Sequence, residues 1–191
     1  MDHEGNRWMR KHKRRASDEA DGSQLKLAAA EGRAYQKSLS YMVNEVADSG
    51  GRMQVDDYIV TYAQERAEGM YHLGPGGKLK WMEPAKNSNC HLEVSVSDAS
   101  DKRFIPYLTI TATLFPREGK KIGPFKIPFV WHPGLYHYGR NIHVPGDGVY
   151  RLVIEIDPAK FMRHDKENGR LYARKVVAEF PRVKIKAGRE D

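Results

Sequence analysis

Residues 90–97 read Cys-His-Leu-Glu-Val-Ser-Val-Ser, a strict alternation with Leu92, Val94 and Val96 on one side and His91, Glu93, Ser95 and Ser97 on the other. Successive strand side chains point to opposite faces, so this period of two specifies a β-strand with one apolar and one polar face. The apolar face belongs to a core. The alternation returns in Leu152, Ile154 and Ile156, and runs rich in β-branched and aromatic residues stand at 58–62, 79–82, 107–115, 125–131, 149–156 and 176–185. Turn chemistry separates them: Gly74-Pro75-Gly76-Gly77, residues 116–119, His132-Pro133-Gly134, Pro145-Gly146-Asp147-Gly148 and Glu167-Asn168-Gly169. Short strands broken in this way, with no internal repeat, predict a mainly β protein with an immunoglobulin-like antiparallel β-sandwich.

Upstream the period lengthens. Leu25, Ala28, Ala29, Gly32, Tyr35, Leu39, Met42, Val43 and Val46 recur near 3.6 residues, which predicts an N-terminal helix over 25–46, capped by Ser23 and ended by Asp48-Ser49-Gly50-Gly51. This helix is expected to pack across the sandwich or against a partner subunit. Before it, Arg7, Arg10, Lys11, Lys13, Arg14 and Arg15, followed by Asp18, Glu19 and Asp21, read as a solvated tail. The expected plan is a basic tail over 1–22, a helical extension over 23–51 and a metal-binding sandwich over 52–191.

The chain has 191 residues, enough for one domain of ordinary size with an appendage. Its one cysteine excludes an internal disulfide. If His91 faces a polar site, the adjacent Cys90 faces the other way and packs as a small apolar group. No run approaches the roughly 20 apolar residues of a membrane span, and the amino-terminal residues lack the apolar core of a secretory signal. The net charge of +7 owes much to the tail. Its lysines and arginines attract phosphate without regard to sequence, and no base-stacking aromatic motif accompanies them, so no specific nucleic-acid partner is expected. Glycine-rich nucleotide loops, paired-cysteine zinc motifs and the Gly-x-Ser-x-Gly nucleophile turn are absent. Glu155 and Asp157 read as solvated outer-face residues of a strand. No enzymatic activity is expected.

Three separated stretches carry histidine in settings suited to coordination: His91-Leu92-Glu93 on the alternating strand, His137-Tyr138-Gly139-Arg140-Asn141 in a glycine-bounded loop, and Arg163-His164-Asp165 beside a turn. Each alone is weak, because a lone histidine in a β-protein is most often a hydrogen-bonded surface residue. Together they predict one metal site assembled by folding. His91 and Glu93 share a strand face and can reach one ion, and imidazole with carboxylate suits copper, zinc and iron.

The segment from about residue 90 to residue 173 resembles the periplasmic copper-binding proteins that accompany bacterial iron permeases, the iron transport protein family. The resemblance rests on His91-Leu92-Glu93, Pro106-Tyr107-Leu108-Thr109-Ile110, Gly119-Lys120-Lys121, Ile127-Pro128-Phe129-Val130, His137-Tyr138-Gly139 with Asn141-Ile142, Pro145-Gly146-Asp147-Gly148 with Tyr150, and Arg163-His164-Asp165 followed by Glu167-Asn168-Gly169, in one order. The first fifty or so residues have no counterpart in it. The resemblance implies copper held by the two histidines and a methionine of a Met-Pro-Met-Val segment, with the glutamate and the histidine after arginine close by. Those positions are His91, His137, Phe129, Glu93 and His164. Both family methionines have become hydrocarbon here, so no sulfur donor stands in that segment, and a family acid is replaced by Ser95. Asp98 has the wrong parity to take that acid's place. Loss of a soft thioether leaves a harder set, suited to cupric copper, zinc, ferrous iron or manganese. Met162 and His132 are the local replacements to be considered.

The expected metal ligands are therefore His91, Glu93, His137 and His164, with copper foremost and iron, zinc or manganese compatible. The resemblance further implies a periplasmic homodimer acting beside an iron permease. A β-sandwich that has lost metal binding and serves as a protein-interaction module through its helix is the alternative. Because Leu92, Val94 and Val96 take the core face, the site is expected in a solvent-accessible groove on the outer face. Ligation by neutral imidazoles predicts that occupancy falls as pH drops through about 6.5.

Overall fold

The structure, a computed structural model, describes residues 14–190, so Arg7, Arg10, Lys11 and Lys13 of the basic tail lie outside the described residues. Helix α1 (Gly22–Tyr41) continues into a π-helical turn (Met42–Val46), after which come β1 (Ser49–Val55), β2 (Tyr58–Glu65), β3 (Met70–Leu73), β4 (Leu79–Met82), β5 (Cys90–Asp98), β6 (Ile110–Pro116), β7 (Ile122–Lys126), β8 (Phe129–Trp131), β9 (Tyr136–Ile142), β10 (Gly148–Ile156) and β11 (Val176–Ile185). One sheet has the order β1-β2-β5-β9-β8 and the other β11-β10-β6-β7, while β3 and β4 form a separate hairpin. All pairings between these strands are antiparallel. The mainly β architecture with a helix ahead of it is the one expected.

The two sheets meet through their alternating apolar residues. Tyr58, Val60 and Tyr62 of β2 and Cys90, Leu92, Val94 and Val96 of β5 pack with Ile110, Ala112 and Leu114 of β6 and Leu152, Ile154 and Ile156 of β10, all buried in one cluster. Cys90 is fully buried within it, as its parity requires, and burial pushes its thiol up to about 12.

Several elements differ from the expectation for identifiable reasons. The helix starts earlier, capped by Asp21 rather than Ser23: Asp21 Oδ1 accepts from the Ser23 and Gln24 backbone N–H groups, and the Gln24 side chain accepts from the Asp21 N–H. Gly50 and Gly51 do not stop the helix but belong to β1, so the helical extension gives way to the sheet before residue 51. A Cβ on Gly50 would stand 2.5 Å from Val43 Cγ1, so that glycine serves the close approach of the π turn to the strand. The run 125–131 divides between the two sheets around Pro128, and the strand expected from 107 begins only at Ile110. The supposed loop around His137 is strand β9.

Helix α1 lies over the outer face of β5, which is therefore no open groove. A Cβ on Gly32 would stand 1.8 Å from the Asp101 carbonyl oxygen, a separation only glycine permits. The Tyr35 hydroxyl donates to the Tyr136 carbonyl at 2.6 Å and lies 2.9 Å from Ser95 Oγ, and Gln36 Nε2 donates to Ser97 Oγ at 3.1 Å. The polar positions of β5 are thus satisfied by the helix instead of by water. Leu39 and Met42 close a second, smaller core with Ala63 and Leu135. No helix among the described residues is long and apolar enough to cross a membrane.

Candidate metal centre

Register decides which side chains meet. In the β5–β9 ladder His91 pairs with Asn141 and Glu93 with Gly139. Residues two apart share a face, so His137, Gly139 and Asn141 stand on the face of His91 and Glu93. His137 Nε2 lies 3.1 Å from Glu93 Oε1, and His91 Nε2 lies 3.7 Å from the same oxygen. One donor atom from each of the three residues falls within 4.8 Å of the others. All three side chains are buried: His91 is 0% exposed, Glu93 5% and His137 2%.

Burial at this depth normally requires satisfied polar atoms, and here it does not provide them. His91 Nε2, both ring nitrogens of His137 and Glu93 Oε2 have no hydrogen-bond partner. The other nitrogen of His91, Nδ1, is 3.0 Å from Asn141 Oδ1. With that amide oxygen as acceptor, Nδ1 carries the proton and the Nε2 lone pair is directed at the trio, the arrangement that presents an imidazole to a cation. Gly139 supplies the space: a Cβ there would stand 2.8 Å from His91 Nε2 and 3.2 Å from His137 Nε2.

The electrostatics fit a cation. Burial lowers the His91 pKa, so the ring is neutral and its lone pair available. Burial alone would raise the Glu93 carboxyl, but the close approach of His137 at 3.1 Å, with His91 and His132 nearby, holds it below the usual carboxylate range. Two further carboxylates approach from the end of β2 and the residues after it. Burial, then neighbouring carboxylates, push Glu65 and Glu68 up to about 7. A cavity of about 520 Å³ leads to the trio, walled by α1 and the π turn on one side and by the residues around His132 and Leu135 on the other, with Glu65 and Glu68 in its lining and Glu93 and His137 among its residues.

His164, expected as a ligand, is not brought to this place. Its side chain is 91% exposed and its Nδ1 lies 2.8 Å from Glu19 Oε2. Its segment is anchored elsewhere, with Arg163 donating to the carbonyls of Ala159, Phe161, Leu171 and Tyr172. Met162 is 98% exposed and does not replace the family sulfur. Phe129 pairs with Tyr138 across β8 and β9 and joins Phe104 and Tyr136 in an aromatic cluster. His132 lines the cavity with its ring centroid 6.0 Å from that of His137, while its Nδ1 accepts from the Gly134 N–H at 3.0 Å. Ser95 is occupied by Tyr35, and Asp98 sits at the far end of β5. The expectation that the polar face is open to solvent is overturned by the covering helix.

Fold and site together describe a β-sandwich with a buried two-histidine, one-carboxylate donor set. The chain belongs to the Fe2+ transport protein family, whose sequence model matches residues 70–184. A UPF0423 protein of Brucella abortus (strain 2308) is 33% identical, over 57% of this chain and 68% of that protein. Among solved structures, a copper-bound variant of FetP from uropathogenic Escherichia coli strain F11 is 25% identical with a TM-score of 0.56, covering 74% of this chain and 93% of that one. Copper-reconstituted P19 from Campylobacter jejuni is 20% identical with a TM-score of 0.59, covering 74% of this chain and 96% of that one. The family match opens at residue 70, so α1, β1 and β2, with Glu65 and Glu68, precede it.

Proposed function

We propose that this protein binds a transition-metal ion as cargo through His91, Glu93 and His137, copper foremost with iron next, and serves bacterial iron uptake as a noncatalytic accessory. The observation that carries this reading is the set of buried ring nitrogens and one carboxylate oxygen left without partners around the Gly139 gap. Unpaired buried polar atoms are costly, and a cation bound among them removes the cost. The donor types are those of copper, zinc and iron sites. The copper in the FetP variant and membership of an iron-transport family support the choice of ion and context. A periplasmic location, a homodimer and an iron permease as the receiving partner complete the proposal, as does the division into tail, covering helix and sandwich. His164 has no part in it.

Purified protein titrated with Cu2+, Zn2+, Fe2+ and Mn2+, with elemental analysis of the bound ion, tests the reading. One ion per chain is expected, lost in His91→Ala and in His137→Ala and retained in His164→Ala. Binding that is absent, or that survives both histidine substitutions, refutes it.

A further inference from the structure

Three protein donors leave a four-coordinate ion one donor short, and the family's thioether is missing from the Ile127-Pro128-Phe129-Val130 segment. The side chain that stands nearest to filling this place is Glu68, in the connection between β2 and β3. Its Oε1 lies 3.6 Å from His91 Nε2. Donors bound to one tetrahedral ion at about 2.0–2.2 Å are about 3.3–3.6 Å apart. The separations of 3.6, 3.7 and 3.1 Å along the series Glu68, His91, Glu93, His137 are close to three of those edges, and Glu68, which stands outside the 4.8 Å grouping of the other three, completes the set by turning its carboxylate inward.

Glu68 is also fixed to the site through its backbone. Asn141 Nδ2 donates to the Glu68 carbonyl at 2.7 Å, and Asn141 Oδ1 accepts from the Glu68 N–H at 3.3 Å while facing His91 Nδ1 at 3.0 Å. One amide therefore orients the His91 ring and locks the backbone of the residue opposite it. The Glu68 carboxylate carries no hydrogen bond among the described residues and is one-third exposed, which leaves it free to pivot toward the trio.

We infer that Glu68 is the fourth donor of the metal site, making a two-nitrogen, two-oxygen set that selects divalent ions over cuprous copper. This rests on the proposed metal-binding function. Glu68 occupies the coordination role of the lost sulfur with the opposite softness: a carboxylate favours Cu2+, Zn2+ and Fe2+, where a thioether favours Cu+. Asn141 acts as a positioning residue for two ligands at once, so its loss disturbs both.

The experiment compares Cu2+ and Cu+ affinities, the latter by competition with a cuprous chelator under reducing conditions, in the full chain and in E68Q, E68M, E190Q and H91A. Glu190 is a carboxylate neighbour of Glu68 and is not one of the three residues of the trio. Expected are a loss in Cu2+ affinity of about 10-fold or more in E68Q, an altered Cu2+ electron paramagnetic resonance spectrum, near-native affinity in E190Q and a gain in Cu+ over Cu2+ preference in E68M. Binding lost in H91A but unchanged in affinity and spectrum in E68Q overturns the role of Glu68 while leaving the proposed function standing. Equal weakening in E190Q and E68Q overturns it in favour of through-space charge. Absence of binding in the unmodified chain overturns both.

Discussion

Gly139 matters for the atoms it lacks. Its missing Cβ leaves the space between His91 Nε2 and His137 Nε2, and nothing else in β9 demands glycine there, since its backbone is not in the left-handed region. Gly139→Ala is therefore expected to lower metal affinity about tenfold or more while leaving the far-ultraviolet circular dichroism of the sandwich unchanged. Titration of the folded variant checks this. At this scale the sequence was partly legible. His91 and Glu93 could be paired from their spacing of two on a strand, and His137 from the wording around it. The roles of Glu68 and Asn141 were hidden, because only the β5–β9 register and the connection after β2 bring them to His91. His164 misled for the same reason: the segment after β10 is tied down by Arg163, and no local pattern announces where it docks.

The covering helix lies ahead of the residues that the family match spans. Its seat depends on Gly32, whose carbon approaches the Asp101 carbonyl more closely than any Cβ allows. An alanine raises intrinsic helix propensity by about 1 kcal/mol, yet the contact at 1.8 Å forces the helix from the sheet. Gly32→Ala is expected to be destabilising by about 2 kcal/mol net, a fall in the melting temperature of about 4–8 °C for a chain of this size, and to increase hydrogen exchange along β5. A higher melting temperature would show that the helix is not seated through this contact. The alternation of β5 and β10 made the sandwich readable, because one apolar and one polar face leave little choice of orientation. The same pattern gave the wrong exposure for the polar face. Serines and carboxylates on a strand look alike in sequence whether water or the side chains of Tyr35 and Gln36 satisfy them.

Across the whole molecule, residues 14–17, expected in a solvated tail, are instead fastened to the sandwich, Arg14 by a buried carboxylate. Asp98, 3% exposed, accepts from the Ser100 and Asp101 backbone N–H groups and from the Ser100 hydroxyl, each at 2.8 Å, and meets both the Arg14 guanidinium and the Tyr172 hydroxyl. Ser17 donates to Asp165 and the Arg15 backbone to Asn168, which joins the same segment to the connection between β10 and β11. Burial works to raise the Asp98 carboxyl, but Arg14, Tyr172 and the local N–H groups together lower it. A carboxyl depressed in the folded state adds stability above its unfolded value of about 3.9 and loses it as pH falls through the lower folded value. Asp98→Asn is accordingly expected to cost about 3 kcal/mol near neutrality and progressively less below about pH 4, so that the two unfolding curves converge in acid. Thermal melts from pH 7 to pH 2 would reveal a constant offset instead if the charge is irrelevant. At the opposite pole from this staple lies Cys90, the chain's one cysteine, sealed between the sheets with its thiol back to back with the metal face. A sulfur so placed is mute toward alkylating reagents and toward copper while the sheets stay closed, and its chemical awakening would report the parting of the two layers.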